Sequence, residues 1–524
     1  MTDTSYRTRS FRAGLWVLVS LLGARLLAMG VIPLTDTTEA RYGEMARRMA
    51  QTGDWVTMYQ NAQPFMGKPP LFAWLSSISI HFLGPTAFAP RLPSLLLSVL
   101  MVWLVWRAAE RYGGRGAGLA AALALAGAPF FLATAGTVMT DTALAFSVAL
   151  IMISFWNALH PPPGGSGKLW GYLFFAGCGL GLLAKGPVAL VLSGLPIFFW
   201  VLVRKAWRPL WRDLPWMGGL VVTLAIALPW YVLMERAHPG FLKYFIVGEN
   251  ISRFLDSRWQ GDRYGFAHAY PYGTIWGFAL LGLLPWLLVL ARDLVTTRGR
   301  ERAAAAAPDD DWRLFLVLWC VCPLIFFSFA ANIIWPYVLP MIPGFALFFA
   351  DVERRWAIPV GRAHYAAAVF SGALALAASA AFLIAPERID HTDKPLITAW
   401  RADRPAPRSR LLIWRLPHDF SAEYYARGRA ESTQDVKDVT SLFLNDTRDY
   451  IVCDEAGLKD LPAAVRGVFE EAAREPARHG PKLLLREKLA PGGSSSIQVQ
   501  SGEARSGTPV ELTAGSGGAG TPQR

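Results

Sequence analysis

The feature that most constrains this chain is the recurrence of apolar runs long enough to cross a bilayer. A spanning helix needs about 20 predominantly apolar residues. Such runs lie at 13–32, 92–109, 117–135, 141–159, 170–184, 187–203, 214–233, 270–291, 312–330, 336–351 and 364–385, eleven in all. A backbone in hydrocarbon must satisfy its own hydrogen bonds, so the class that follows is an α-helical polytopic membrane protein. Only 17% of residues are charged, against roughly 25% in a soluble domain. A net charge of +12 would by itself admit a nucleic-acid partner. The basic residues sit in short loops between apolar runs, however, where they act as topology signals, and no nucleic acid is expected.

The run 70–83 is apolar but short and follows a proline pair, so it is expected to be an interfacial or re-entrant helix. The first run follows Arg7, Arg9 and Arg12 and lacks a small-residue cleavage site, so it reads as a first span rather than a signal peptide. With the N-terminus inside, the inner loops hold Arg107, Arg111 and Arg115; Lys168; Arg204, Lys205, Arg208 and Arg212; Arg292, Arg298, Arg300 and Arg302; and Arg354, Arg355 and Arg362. This is the positive-inside pattern, and counting 70–83 as a span would spoil it. The same parity puts 33–91, 235–269 and everything after about residue 385 outside.

The chain is expected to divide into a membrane domain at 1–390, a small outer α/β domain at 391–490 and a disordered Gly/Ser/Thr-rich tail at 491–524. The segments LLIWRL (411–416), YIVC (450–453) and KLLL (482–485) read as strands; AEYYARG (422–428) and GLKDLPAAVRGVFEEAAR (457–474) read as helices. Cys178, Cys320 and Cys322 lie in apolar runs and Cys453 stands alone, which gives neither a disulfide framework nor a zinc pattern. No metal or cofactor is expected.

The outer face collects charge. The sequence Asp36-Thr-Thr-Glu39-Ala-Arg41-Tyr42-Gly-Glu44 predicts a helix over 38–51 capped by Thr37 or Thr38. With Arg41, Met45 and Arg48 on one face, it would lie on the membrane surface. Lys68 precedes Pro69-Pro70, Asp141 and Lys185 lie in tight outer turns, Arg253 follows Glu249-Asn250, and Tyr337 lies in Trp335-Pro-Tyr-Val-Leu-Pro. Singly, a lysine beside a membrane is an anchor and an aspartate is a helix cap. Together they fall on one side of a topology derived without them. A charge at the depth of Lys185 costs about 2.5–3.5 kcal/mol and calls for an anionic partner. Several cations at the lipid boundary can hold a phosphate or diphosphate. A nearby carboxylate can take the proton of an attacking hydroxyl. An outer site has no nucleotide sugars, so a lipid-carried donor fits.

The blocks Asp36-Thr-Thr-Glu-Ala-Arg-Tyr-Gly-Glu-Met-Ala-Arg, Thr52-Gly-Asp-Trp, Gly67-Lys-Pro-Pro-Leu and Ala89-Pro-Arg-Leu-Pro, with Lys185-Gly-Pro and Tyr337-Val-Leu-Pro, resemble the bacterial aminoarabinose transferase and protein O-mannosyltransferase superfamily. These are glycosyltransferases of the GT-C fold. The resemblance implies a GT-C fold in the bacterial inner membrane with the site facing the periplasm, and the eleven runs and small outer α/β domain read from the residues fit it. It implies inverting transfer of a sugar from an undecaprenyl-phosphate carrier to a lipid A-like glycolipid or another glycan. By the same resemblance Asp36 or Glu39 is the catalytic carboxylate, with Asp36 favoured, and Asp141 matches a second acidic position. Lys68, Lys185 and Arg253 would bind the carrier phosphate, with Arg41 and Tyr337 assisting.

The family's usual Asp-Glu pair just before x-Arg-Tyr reads Thr38-Glu39 here, with an Asp at 36 instead. The chain departs from aminoarabinose transferases at three further places. Gly67 replaces a glutamate. Glu249-Asn250 replaces Glu-His, a pair that is a candidate metal site in those transferases. Ala331 and Ile333 stand where lysines occur. A transporter or flippase of lipid-linked sugars is the alternative from another class; it would be expected to carry inverted repeats and midplane charges rather than charges crowded at one mouth.

Overall fold

The computed structural model describes residues 2–36, 38–61, 63–264, 268–297, 310–385, 392–416, 420–444, 447–477 and 480–488. Thr37, Arg298, Arg300, Arg302 and the expected tail lie outside the described residues. The helices of the membrane part are α1 (Thr2–Val31), α2 (Thr38–Thr52), α3 (Leu71–Leu83), α4 (Leu92–Ala126), α5 (Pro129–Thr134), α6 (Thr140–Leu159), α7 (Gly167–Lys185), α8 (Val188–Arg204), α9 (Trp207–Asp213), α10 (Trp216–Ala237), α11 (Thr274–Thr297), α12 (Asp310–Ser328), α13 (Ile342–Arg355) and α14 (Arg362–Ile384).

Among the described residues, nine helical stretches are long and apolar enough to cross a membrane. The two further runs expected from the sequence are also helical. One is the second half of α4, which breaks at Gly114 (φ 70°, ψ −171°). The other is α8, an apolar helix of 17 residues. The run 70–83 forms α3, whose 13 residues fall short of a span.

Helix α6 is the axis of the fold and is buried along nearly all of its length, from Thr140 to Ala158. It packs chiefly on α7 and α4. The close approach follows from the glycines of α7: a Cβ on Gly177 would meet Ile151 of α6 at 2.9 Å, and one on Gly179 would meet Ile226 of α10 at 2.8 Å. Lipid tails are as apolar as leucine, so close contact between small residues is what drives such helices together. Leu27, Leu220, Val221, Leu288, Phe370 and Ile384 are exposed, as expected of side chains whose solvent is hydrocarbon.

The C-terminal part builds a five-stranded sheet from β3 (Leu411–Trp414), β4 (Ala430–Thr433), β5 (Tyr450–Asp454), β6 (Phe469–Glu475) and β7 (Lys482–Glu487); β1 (Met58–Gln60) and β2 (Gln63–Phe65) form a hairpin in the first outer loop. The sheet order is β4-β3-β5-β7-β6, with β3 parallel to both its neighbours and β7 antiparallel to β5 and β6. The expected strands are present. The helix expected over 457–474 is not: helices at Glu455–Asp460 and Ala463–Val468 are followed by strand β6. Pro462 interrupts the helix, and β7 offers a free edge whose pairing outweighs the helical preference of Glu470, Glu471 and Ala473.

The surface position expected for α2 is also corrected. Ala40, Met45, Ala46 and Met49 are buried, because α2 is sandwiched between α3 and the C-terminal helix Phe420–Tyr425. The first outer loop and the C-terminal part are bonded directly: the Leu34 N–H donates to Tyr425 Oη at 2.7 Å, and Tyr424 Oη donates to the Thr86 carbonyl at 2.8 Å.

Candidate active site

Lys185 is the last residue of α7, and the turn after it is dictated by Gly186. This glycine has φ +83°, and a Cβ on it would lie 2.6 Å from Phe245. Asp141 is in the first turn of α6. A carboxylate at a helix N-terminus and an ammonium at a helix C-terminus each oppose the local dipole. Here the two meet: Lys185 Nζ lies 2.5 Å from Asp141 Oδ1, with both side chains buried. The ammonium also stands 4.4 Å from the centre of the Tyr337 ring. Tyr337 is fixed by a tight 3-10 stretch, Trp335–Met341, with prolines at 336 and 340, and by Phe327 at 4.8 Å.

Lys68 follows hairpin β1–β2 and is aimed by the rigid Pro69-Pro70 pair that opens α3. Tyr264 clamps this hairpin, donating to the Pro64 carbonyl at 2.9 Å and accepting from the Met66 N–H at 3.1 Å. Gly67 is tight against the clamp, since a Cβ there would meet both Phe65 and Tyr264 at 3.1 Å. Arg253 ends a helical segment, Lys243–Ser252, wound with the wider π-type turn. Between the two cations lies Glu249. Its Oε2 is 3.2 Å from Lys68 Nζ and 3.1 Å from Arg253 Nη1, and its Oε1 accepts from Tyr244 Oη at 3.0 Å. Asp262 adds a second carboxylate 3.3 Å from Arg253 Nη2. Burial works to raise the Glu249 carboxyl, but Lys68 and Arg253 outweigh it and hold the group below the ordinary carboxylate range.

Lys68, Lys185, Arg253 and Tyr337 all line one cavity of about 430 Å³, and Glu249 lines it with them. The rest of its wall is mostly apolar and includes Leu144, Val188, Val191, Phe245, Phe254 and Phe326. Asp141 does not itself line the cavity and is joined to it by its ion pair with Lys185. Sequence reasoning passed over Glu249 as a site residue; its spacing of four from Arg253 was the available signal.

Three candidates are placed elsewhere. Asp36 is buried and accepts from the Ser421 N–H at 3.0 Å and from the Ser421 hydroxyl. It thereby ties the first outer loop to the C-terminal part. Glu39 is bound through both oxygens to Arg91 and also accepts from the Val138 N–H at 3.0 Å. Arg41 donates to the Tyr264 carbonyl at 2.8 Å, so it supports the hairpin clamp. None of the three lines the cavity. The residues that line it come from the membrane part and its loops, not from the C-terminal part.

Residues 67–232, which include Lys68, Asp141 and Lys185, match the family model for dolichyl-phosphate-mannose-protein mannosyltransferase. The chain is 30% identical over 346 residues to undecaprenyl phosphate-alpha-4-amino-4-deoxy-L-arabinose arabinosyl transferase 2 of Sodalis glossinidius, covering 65% of this chain and 60% of that protein. It is 30% identical to the corresponding transferase of Serratia proteamaculans, covering 64% of this chain and 59% of the relative. The chain thus spans about three fifths of the length of these relatives. The crystal structure of ArnT from Cupriavidus metallidurans bound to undecaprenyl phosphate superposes with a TM-score of 0.73 at 19% identity, covering 92% of this chain and 99% of that one. That likeness is one of fold. In sequence the chain is thus similar to aminoarabinose transferases and, over residues 67–232, to protein mannosyltransferases, and it shares the fold of the Cupriavidus metallidurans transferase.

Proposed function

We propose that this chain is an inverting glycosyltransferase. It moves a sugar from an undecaprenyl-phosphate carrier to an envelope acceptor, a lipid A-like glycolipid or another glycan, at the periplasmic face of the bacterial inner membrane. The observation that carries this reading is a cavity with three cations, Lys68, Lys185 and Arg253, on a wall that is otherwise mostly apolar. A phosphate attached to a polyprenyl chain has those two halves. The relatives carry transferase names, which supports transfer over transport.

In this mechanism the carrier phosphate sits among the three cations and draws them partly away from Glu249, Asp262 and Asp141. Asp141, beside Lys185, takes the proton of the acceptor hydroxyl. The acceptor oxygen attacks the anomeric carbon from the face opposite the phosphate. The bond from that carbon to the phosphate oxygen breaks, its electron pair stays on the phosphate, and the configuration inverts. The cations stabilise the charge that grows on the phosphate. Asp36 is the base that the family resemblance favours; its bonds to Ser421 support a positioning role instead.

The test is mass spectrometry of envelope glycolipids and glycans from a deletion strain, the strain restored with wild type, and strains restored with Asp141→Asn or Asp36→Asn. A sugar that disappears on deletion and returns with wild type, but not with Asp141→Asn, supports the reading. No change in any glycan on deletion contradicts it.

A further inference from the structure

A second cavity, of about 280 Å³, lies between α1, α5 and α14. We propose that it binds an anionic glycerophospholipid, with the headgroup phosphate at Arg25 and Arg91 and one acyl chain along the helices. The proposal does not depend on the sugar-transfer reading.

Charge is the first argument. Arg25, Arg91 and Glu39 all line the cavity, two guanidinium groups against one carboxylate. Glu39 is already engaged through both oxygens by Arg91. Arg25 donates to the carbonyls of Ala135 and, at 2.9 Å, Ala133. Arg91 donates to the carbonyls of Met29 at 3.0 Å, Ile32 at 2.5 Å and Pro33 at 2.9 Å, which with Glu39 engages all five of its N–H groups. Arg91 thus adds charge, while Arg25, which donates through Nε and Nη2, is the group that can also bond the phosphate. These carbonyls lie at the ends of α1 and α5, so they satisfy the N–H groups and offset part of the positive charge through the helix dipoles but leave the formal charges unbalanced. The lining therefore keeps one net positive charge in a poorly solvated place, which favours an anion.

Shape and depth are the second argument. Ala28, Ala133, Gly136, Ala375 and Ala378 keep the groove between the helices open. Leu27, Val31, Leu383 and Ile384 are exposed on α1 and α14 beside it, so its mouth faces hydrocarbon. Arg25 is six residues from the end of α1, about 9 Å along the axis. An arginine at that depth reaches the headgroup level. An occupant of this cavity needs an anionic head and an apolar tail together.

The experiment is native mass spectrometry of the full chain in detergent, titrated separately with phosphatidylglycerol, phosphatidylcholine and inorganic phosphate. Wild type is expected to retain phosphatidylglycerol under activation that strips phosphatidylcholine, and to retain no inorganic phosphate. Ala378→Phe fills the groove without touching a charge and should abolish the adduct. Arg25→Gln keeps donors toward the carbonyls but removes the charge and should weaken binding about fivefold. Equal retention of the two lipids, equal retention of inorganic phosphate, or phosphatidylglycerol binding unchanged in both variants would overturn the proposal.

Discussion

Lys185 and Asp141 form a buried ion pair, 2.5 Å apart, at the end of one membrane helix and the start of another. Removing one partner of such a pair leaves an uncompensated buried charge and costs about 3–5 kcal/mol, whereas replacing both by apolar groups can be neutral. Lys185→Met alone should therefore lower the melting temperature of the detergent-solubilised protein. Lys185→Met with Asp141→Leu should recover most of it while sugar transfer stays lost. Recovery of transfer in the double variant would show that the pair serves the fold alone.

Gly186 aims Lys185, with φ +83° and Phe245 against its α-carbon. With φ +83° and ψ −152°, Gly186 occupies a region almost closed to other residues, so Gly186→Ala adds backbone strain of about 1–3 kcal/mol and a clash 2.6 Å from the Phe245 ring. Transfer is expected to fall far more than expression or melting temperature, because the turn displaces an ammonium that has to meet a phosphate. A transfer assay run beside a thermal unfolding curve checks the split.

Glu249 gives a pH dependence of known sign. Lys68 and Arg253 hold its carboxyl below the ordinary range in the folded protein. Its stabilising contribution is thus present above the unfolded value of about 4.3 and is lost as pH falls through the lower folded value. Glu249→Gln should remove this acid-side loss from a melting-temperature profile. A profile unchanged by the substitution would mean that the carboxylate is not held by the two cations.

Glu423 gives the opposite sign. It is buried at the contact between the C-terminal part and α2, where burial and then the Glu44 carboxylate push its carboxyl up to about 7. The folded state binds more protons than the unfolded state between about pH 4.3 and that value. Stability therefore falls as pH rises through this window and is flat above it. Glu423→Gln should raise the melting temperature at pH 8 and flatten the slope between pH 5 and 7, a comparison for differential scanning fluorimetry.

Much of the membrane architecture is legible in the sequence because apolar run length and loop charge are local signals. Lys68, Lys185, Arg253 and Tyr337 can be gathered through one consequence of that topology, since the same parity places them at one face. The return of the C-terminal part onto the first outer loop has no such local signal. Asp36 reads as a free carboxylate until Ser421, far along the chain, is seen to bind it. Glu39 likewise looks like an acid in the first turn of a helix until Arg91 closes on it. Strand β6 is hidden for a related reason: its glutamates and alanines favour helix, and only pairing with β7 makes it a strand.

The claim at the centre of this account is that Lys68, Lys185 and Arg253 hold the phosphate of a polyprenyl carrier. The most direct test is the affinity of purified protein in nanodiscs for undecaprenyl phosphate, compared with Lys68→Ala and Arg253→Ala. The account predicts that each substitution weakens binding about tenfold or more, as expected for loss of a charge-assisted contact of about 1.5–3 kcal/mol. Wild-type affinity in both variants would contradict it.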